Sequence, residues 1–333
     1  MLTDTAQRFR RDWLIGEGSF GCVYKGVDLC TGAEVAIKVV ELDDMGDELD
    51  EMQREIQILS QLKSPFITRY YGSYLHGTQL WIIMEYCGGG SCYDLIKTGH
   101  IAEPHIAVIL RGVLEALAYL HSEGKMHRDI KSANVLLTTS GDVKLADFGV
   151  AGQLSASSAK TNKIAGTPYW MSPEVVRRTG YDSRADIWSI GILGIELAAG
   201  EPPYADLHPM KVIHLISRNP APQLNPTHSR AFRDFVAQCL VRDQAQRPSA
   251  AALLKHRFVR GARDPRILGG LVLLSQRTQV YAFVRDEPPA TEAQGTPPWD
   301  FAVDDTDTRM HTDAAPHAAD RIPRSNSLAT LFT

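Results

Sequence analysis

The tripeptide H-R-D at residues 127–129, with Asn134 five residues after its aspartate, constrains this chain more than any other feature of the sequence. Four fixed positions of this kind arise by chance in about one chain of this length in 500. Asp129 can accept the proton of an attacking hydroxyl, and the amide oxygen of Asn134 can bind a divalent cation. A D-F-G follows at 147–149, and its aspartate supplies the carboxylate that Mg²⁺ prefers. A lone D-F-G is more often a turn, but this order and spacing favour a cation-dependent catalytic site.

A glycine-rich segment lies near the start of the chain, where Gly16, Gly18 and Gly21 form a G-x-G-x-x-G. Positions without side chains let backbone N–H groups approach phosphates. A dinucleotide-binding loop would need a helix directly after it, whereas the following CVYKGVD alternates like a strand. We therefore predict a strand-loop-strand flap over phosphates, with a hairpin turn that binds no ligand as the alternative.

Lys38 ends the apolar run V-A-I-K, and Glu55 follows on a predicted helix. A lysine that points inward from a strand needs an anionic partner. Glu55 and the phosphates of a nucleotide could share its ammonium group. The Lys38–Glu55 ion pair would then form only when the predicted helix lies close to the strand. Taken singly, an exposed lysine and an ordinary surface glutamate remain the alternative interpretation of both residues.

The pattern of apolar residues changes from strands to helices near residue 91. One helix interrupts the early strands, with Leu49, Met52, Ile56 and Leu59 on one face. The clearest later helical patterns cover 106–120 and 187–197. We predict an α+β fold with two lobes, a small β-rich lobe with one key helix and a larger helical lobe. The predicted strands are 13–18, Cys22–Asp28, Glu34–Val40, Phe66–Tyr74 and Gln79–Glu85.

From about residue 9 to residue 259, the chain resembles a eukaryotic protein kinase throughout. The segments HRDIKSANVLL, DFGVAGQL, GTPYWMSPE, YDSRADIWSIGI and GEPPYADLHPMKV are similar to germinal-centre kinases of the sterile-twenty group, in the branch with a short C-terminal tail. The resemblance implies a bilobal kinase fold that binds ATP and Mg²⁺ between its lobes. It also implies transfer of the γ-phosphate to serine or threonine, with a threonine preference, on signalling proteins such as a downstream kinase. The alternative is a pseudokinase that binds nucleotide as an allosteric scaffold.

The resemblance also implies roles for individual residues. Asp129 would deprotonate the acceptor, Lys131 would neutralise charge on the phosphoryl group, and Lys38 with Glu55 would align the phosphates. Asn134 and Asp147 would hold the metal. Glu174 with Arg247 would form a buried ion pair, and Asp186 would support the catalytic loop. The nucleotide-binding residues would be Ile15, Gly16, Gly18, Gly21, Val23, Ala36, Lys38, Met84, Glu85, Cys87 and Leu136.

The loop between D-F-G and Glu174 departs from the family pattern at one position. Lys163, four residues before Thr167, stands where these relatives usually carry an activating phosphothreonine. Arg128 would then face a fixed cation that it cannot pair. The hypothesis is that phosphorylation at Thr161 or a nearby serine, or a partner protein, orders the loop.

Composition and charge set the remaining expectations. A formal charge of −4 over 333 residues gives no basic field for nucleic acid. No apolar stretch is long enough to span a membrane, the first residues lack the apolar core of a signal peptide, and five scattered cysteines fit a reducing compartment, so we expect a cytoplasmic protein.

The chain divides by composition into three parts. These are a catalytic domain at 9–260, a short apolar extension at 261–285 and a disordered regulatory tail at 286–333. Trp299 and Phe301 in the tail resemble an element that docks a helical-repeat scaffold, although a stray aromatic pair is the simpler interpretation. The sequence leaves open whether the protein forms a homodimer.

Overall fold

Five antiparallel strands form the first lobe of the protein. The computed structural model describes residues 8–18, 21–42, 56–147, 152–153 and 166–276. Neighbouring strands follow the order β1-β2-β3-β5-β4 across the sheet. Their bounds are β1 Phe9–Gly18, β2 Gly21–Asp28, β3 Glu34–Glu41, β4 Tyr70–His76 and β5 Gln79–Glu85.

Strand β3 is the centre of this sheet and is buried on both faces. Side chains alternate along a strand, so Val35, Ile37 and Val39 share one face, where they pack with Trp81 and Ile83. Ala36, Lys38 and Val40 therefore lie on the other face. This places the Lys38 ammonium group in the interior, on the side of the sheet that contains the buried pair Val40 and Ile82.

The helix between β3 and β4 is described from residue 56 to residue 61 (α1). Its buried residues Ile58 and Leu59 belong to the main core of the second lobe. The other predicted apolar positions, Leu49 and Met52, lie outside the described residues.

The second lobe is built from helices around one large apolar core. Four short strands form two antiparallel pairs: β6 Lys125–Met126 pairs with β9 Gly152–Gln153, and β7 Val135–Leu137 pairs with β8 Val143–Leu145. The helices are α2 Cys92–Thr98, α3 Glu103–Ser122, α4 Pro173–Arg177, α5 Arg184–Ala199, α6 Pro209–Arg218, α7 Arg230–Cys239, α8 Ala250–Leu253, α9 Arg257–Arg260 and α10 at residues 269–276.

Helix α5 passes through the middle of this lobe, because it is apolar on all sides and nearly all its side chains are buried. Gly200 ends it in the left-handed conformation, with φ at +94°. Two acidic residues interrupt the apolar sequence, Asp186 near the start and Glu196 near the end, and both are buried. Ten residues of helix separate them by about 15 Å.

The sequence-predicted strand over Phe66–Tyr74 is wrong at its beginning, since β4 starts at Tyr70. The preceding residues pair with the other lobe instead. Leu145 on β8 donates its N–H to the carbonyl of Phe66 (2.8 Å), and Thr68 donates its N–H to the carbonyl of Leu145 (3.0 Å). The apolar pattern there reflects burial against the helical lobe.

The described part of the apolar extension contains a short helix. A 3₁₀ turn at Pro265–Leu268 leads into α10, and both Leu268 of the turn and Val272 of the helix are buried. Gln276 at the end of α10 donates from Nε2 to the carbonyl of Gly88, between the two lobes (2.8 Å). Residues 277–285 and the tail at 286–333 lie outside the described residues.

The two-lobed α+β architecture predicted from the sequence is confirmed. Within the described ranges, every helix is too short or too polar to cross a membrane.

Candidate active site

One buried carboxylate, that of Asp186, accepts hydrogen bonds from the backbone of the loop that carries Asp129. Asp186 accepts hydrogen bonds from the backbone N–H groups of His127 (3.0 Å) and Arg128 (2.8 Å) and from Nε2 of His121 (2.8 Å). Burial alone would raise the pKa of Asp186, but the His121 hydrogen bond and nearby imidazoles hold it below its ordinary value. Arg128 has a left-handed backbone with φ at +72°. The sequence expectation that Asp186 supports this loop is confirmed.

The ring of His127 is fully buried and connects the loop to the residue before Asp147. Its Nδ1 accepts the backbone N–H of Asp129 (3.3 Å), and its Nε2 pairs with the carbonyl of Ala146 (3.1 Å). Since a carbonyl can only accept, Nε2 carries the proton and the imidazole is neutral. Burial lowers the pKa of His127, which agrees with this tautomer.

Asp129 is buried and takes part in a cluster with Lys131 and Thr167. One carboxylate oxygen lies 2.8 Å from Nζ of Lys131, and the other accepts the N–H (3.0 Å) and hydroxyl (2.6 Å) of Thr167. Lys131 also donates to the Thr167 hydroxyl (2.9 Å). Burial would raise the pKa of Asp129, but attraction and hydrogen bonding to Lys131, together with Thr167, hold it below its ordinary value. The carboxylate is therefore ionised and able to accept a proton.

Asn134 and Asp147 lie on either side of the β7–β8 hairpin. Asn134 donates from Nδ2 to the backbone carbonyl of Asp129 (2.8 Å) and to its carboxylate (3.0 Å), which leaves its amide oxygen as an acceptor. Asp147 has a left-handed backbone with φ at +62°. The described part of the chain contains no cluster of three or more metal-binding side chains. The oxygens of Asn134 and Asp147 suit Mg²⁺, because this ion is commonly bound by one or two protein oxygens together with phosphates and water.

Lys38 reaches this site from the other lobe. Its side chain is 11% exposed, and Nζ lies 3.9 Å from Oδ1 of Asp147. The predicted inward orientation of Lys38 is thus observed, with a carboxylate as its neighbour. Its expected partner Glu55 lies outside the described residues.

The glycine-rich segment covers the end of β1 and the beginning of β2, where Gly18 is paired with Gly21. A strand follows it, as predicted. Gly21 adopts φ of +128°, and a Cβ there would lie 2.1 Å from the carbonyl oxygen of Val39. No atom lies within 4 Å of a Cβ added at Gly16. The fold therefore requires glycine at Gly21, whereas space at Gly16 is left open on the cleft side of β1.

The residues expected around a purine base lie on the strands that border the connection between the lobes. Ala36 is paired with Met84 across β3 and β5, and Val23 is paired with Lys38. Leu136 lies on β7, and Ile15 is partly exposed on β1.

The connection between the lobes begins at Glu85 and continues through Cys87. Glu85 is held by Lys144, whose Nζ lies 2.9 Å from Oε1. Burial raises the pKa of the Cys87 thiol to about 12, with Glu85 adding to the effect. The thiol is therefore protonated at neutral pH, and a hydrogen bond from a ligand to the backbone of Cys87 stays a prediction. Gly89 lies too close to the carbonyls of Leu137 and Thr138 to carry a side chain.

The sequence also predicts the partner of Glu174 and the surroundings of Arg128, on either side of the loop between D-F-G and Glu174. Arg247 donates to both carboxylate oxygens of Glu174, at 2.6 and 3.1 Å, so the expected buried ion pair is confirmed. The guanidinium of Arg128 lies 6.0 Å from the ring centroid of Tyr181. Thr161 and Lys163 lie outside the described residues, as do Trp299 and Phe301.

The sequence analysis did not identify Glu196, a second buried carboxylate in contact with the catalytic loop. Glu196 on α5 is buried and accepts hydrogen bonds from Ser132 and from the indole of Trp170. The available signal was a single charged residue inside the apolar run ILGIELAA. A charged residue inside such an apolar stretch of a helix needs buried partners.

Comparison with known proteins gives the following similarities. Residues 9–259 match the family described as Protein kinase domain. The chain is 51% identical over 255 residues to serine/threonine-protein kinase ppk11 of Schizosaccharomyces pombe, an alignment that covers 76% of this chain and 82% of that protein.

Proposed function

Because the chain belongs to the protein kinase family, we propose that it transfers the γ-phosphoryl group of ATP to serine or threonine hydroxyls of other proteins. The observation that carries this proposal is the meeting of Lys38 from one lobe with Asp147 from the other, beside Asp129 and Asn134. This arrangement combines a cation for phosphates, oxygens for a metal and a base for the acceptor.

The acceptor side of the reaction depends on Asp129. The acceptor oxygen forms a bond to the γ-phosphorus as the bond to the β,γ-bridging oxygen breaks, and the acceptor proton passes to the Asp129 carboxylate. Lys131, 2.8 Å from that carboxylate, stabilises negative charge on the transferring group. Thr167 holds the other carboxylate oxygen, so the base has a fixed direction.

The nucleotide side depends on both lobes. Lys38, with Glu55 as its proposed helix partner, aligns the phosphates beneath the turn of Gly16, Gly18 and Gly21. Asn134 and Asp147 would hold Mg²⁺, which neutralises phosphate charge when bound. The adenine ring of the nucleotide would lie between two layers of apolar residues. It would form hydrogen bonds with the backbone of the segment that connects the lobes. The residues assigned to it are Ile15, Val23, Ala36, Met84, Glu85, Cys87 and Leu136.

Finer assignments rest on the sequence resemblance. We propose membership of the germinal-centre branch of the sterile-twenty group, a cytoplasmic location, a preference for threonine acceptors and a downstream kinase as substrate. The same resemblance supports control of the activation loop by phosphorylation at Thr161 or by a partner, with Lys163 opposite Arg128. It also supports docking of a helical-repeat scaffold through Trp299 and Phe301.

Transfer of radiolabelled γ-phosphate to a generic basic protein tests the proposal. We expect magnesium-dependent labelling on serine and threonine, and Asp129→Asn should reduce kcat by about 10²–10⁴-fold, since the base is lost. Asp206→Asn, a change at an exposed aspartate, serves as the matched control.

Two results would contradict the proposal. Nucleotide binding without transfer by the wild-type protein would favour the pseudokinase alternative. Equal labelling by wild type and Asp129→Asn would show that the activity does not arise at this site.

A further inference from the structure

The described part of the extension, residues 261–276, contacts two segments that border the cleft between the lobes. It follows the residues that match the protein kinase domain, which end at 259. Arg111 on α3 fixes its beginning, since the guanidinium donates to the backbone carbonyls of Ala262 (2.8 Å) and Arg263 (2.8 Å). The extension is therefore attached to the helical lobe before α10 begins.

Helix α10 turns one face toward the protein. Val272 and Ser275 are buried and Gln276 is half-buried, whereas Leu273 and Leu274 are exposed. Positions separated by three and four residues lie on the same side of a helix. The direction of the Gln276 side chain is thus set by the packing of the buried residues beside it.

The first contact of the extension is with the turn between β7 and β8. Gly141 in this turn has φ of +94°, and a Cβ added there would lie 2.7 Å from the carbonyl oxygen of Pro265 and 3.2 Å from Cβ of Leu268. The extension therefore packs directly on the backbone of this hairpin. The two ends of the hairpin lead to Asn134 and Asp147, the residues assigned to the metal.

The second contact is with the segment that connects the lobes. Gln276 donates from Nε2 to the carbonyl of Gly88 (2.8 Å). The next residue, Gly89, donates its N–H to the carbonyl of Leu137 on β7 (2.8 Å). The connecting segment is therefore hydrogen-bonded both to the hairpin and to the extension, directly after Cys87, whose backbone is assigned to the adenine ring.

We infer that Gln276 is a positioning residue, through which the extension fixes the backbone of the connecting segment for hydrogen bonding to adenine. This inference rests on the proposed function. A backbone that is already held by a donor loses less conformational entropy when the nucleotide binds. Removal of the donor should therefore weaken nucleotide binding. The acceptor hydroxyl approaches Asp129 in another part of the cleft, so acceptor binding should change less.

Variants at position 276 separate the donor from the packing of α10. Gln276→Leu removes the donor and keeps a similar size. Gln276→Lys keeps a donor, because an ammonium group can donate to a carbonyl. Gln246→Leu, at an exposed glutamine, is the matched control. All variants are made in the full chain.

Titration with a fluorescent ATP analogue and Mg²⁺ gives the nucleotide affinity, and steady-state transfer to a generic basic protein gives KM for the acceptor. We expect Gln276→Leu to weaken nucleotide binding about three- to tenfold, the range of one hydrogen bond. Its KM for the acceptor should stay within about twofold of wild type. The nucleotide affinities of Gln276→Lys and Gln246→Leu should also stay within about twofold of wild type.

Hydrogen exchange provides a second measurement, which does not depend on transfer. Coupling between two sites is reciprocal, so a connecting segment that is fixed by Gln276 for the nucleotide should hold α10 more firmly once the nucleotide is bound. We expect Mg-ATP to slow exchange of the backbone amides at 269–276 in the wild-type protein, and to slow it less in Gln276→Leu.

Wild-type nucleotide affinity in Gln276→Leu, or an equal loss in Gln276→Leu and Gln276→Lys, overturns the inference while the proposed function stands. Exchange at 269–276 that Mg-ATP leaves unchanged overturns it as well. Nucleotide binding without transfer by the wild-type protein contradicts the proposed function alone, and the affinity of Gln276→Leu still decides the inference. Absence of Mg-ATP binding by the wild-type protein defeats both.

Discussion

Nζ of Lys38, in the middle of β3, lies 3.9 Å from Oδ1 of Asp147, which follows β8 in the opposite lobe. The two charges come from segments that share no secondary structure. They can approach only because the alternation along β3 turns Lys38 inward and the left-handed backbone of Asp147 places its carboxylate at the cleft. A phosphate-binding cation and a metal-binding anion are thereby held in one place before any ligand enters.

We expect Lys38→Met to lower kcat about 100-fold or more, because a buried cation that acts on developing phosphate charge is removed while side-chain length is kept. Initial rates of phosphate transfer over a range of ATP concentrations measure the effect. Lys63→Met, at an exposed lysine, is the control and should behave like wild type. Full activity of Lys38→Met would show that the cation has no part in transfer.

We expect Gly166→Ala to reduce phosphate transfer strongly. Gly166 has φ of +108°, and a Cβ there would lie 2.3 Å from the backbone oxygen of Arg128. The conformational cost alone is about 1–3 kcal/mol, and relief of the clash would displace Thr167 from Asp129. Activity and thermal midpoint measured beside Gly270→Ala, an exposed helical position with no atom within 4 Å of an added Cβ, test this expectation. Equal behaviour of the two variants would contradict it.

Stability should fall as the pH drops below about 6.5, the ordinary pKa of histidine. Burial lowers the pKa of His127 in the folded protein, so the unfolded chain binds a proton that the folded protein excludes. The contribution is fully present above the unfolded pKa and is lost as the pH falls toward the folded pKa, by up to about 1.4 kcal/mol per pH unit.

Urea unfolding between pH 8 and pH 5 measures this dependence. His127→Asn should flatten the slope of unfolding free energy against pH, even though it lowers stability overall. The exposed His100→Asn should leave the slope as it is. His105, whose pKa burial also lowers, accounts for part of what remains. An unchanged slope in His127→Asn would contradict the neutral buried imidazole.

We expect Glu174→Ala to lower the free energy of unfolding by about 3–5 kcal/mol, because it leaves the buried guanidinium of Arg247 without its anion. Arg247 keeps hydrogen bonds to the carbonyls of Val241 and Arg184, which cannot neutralise its charge. Chemical denaturation of this variant and of the exposed Glu201→Ala gives the comparison. A loss below about 1 kcal/mol would mean that the pair behaves like a surface ion pair.

The sequence predicts the two lobes and the chemistry of the site better than it predicts the buried side chains that hold the site residues in place. Asp129, Asn134 and Asp147 are readable because their spacing is fixed by local turns of the chain. Glu196 is not readable in this way, since its partners Ser132 and Trp170 lie 64 and 26 residues away. Only the folded chain shows that one helix end reaches both segments.

The misplaced start of β4 has a similar cause. Residues such as Phe66 and Ile67 favour an extended strand whichever segment they pack against. The sequence there could therefore not reveal that they pair with Leu145 in the other lobe. Propensity gives the local conformation, whereas the partner depends on contacts across the fold.

The attachment of the sheet to the helical lobe would determine which part of the cleft shifts if the two lobes rotated. Arg69 and Glu85, on the two segments that cross between the lobes, are joined by two hydrogen bonds, and Lys144 fixes Glu85 from below. A rotation of the sheet relative to the helical lobe would therefore turn about these residues. Lys38 lies three positions along β3 from the residue paired with Glu85, about 10 Å away, so a tilt of about 10° shifts it by nearly 2 Å. The backbone at Cys87, close to these residues, would scarcely shift, so a rotation of the sheet would mainly displace the end of the cleft at Lys38 and Asp147.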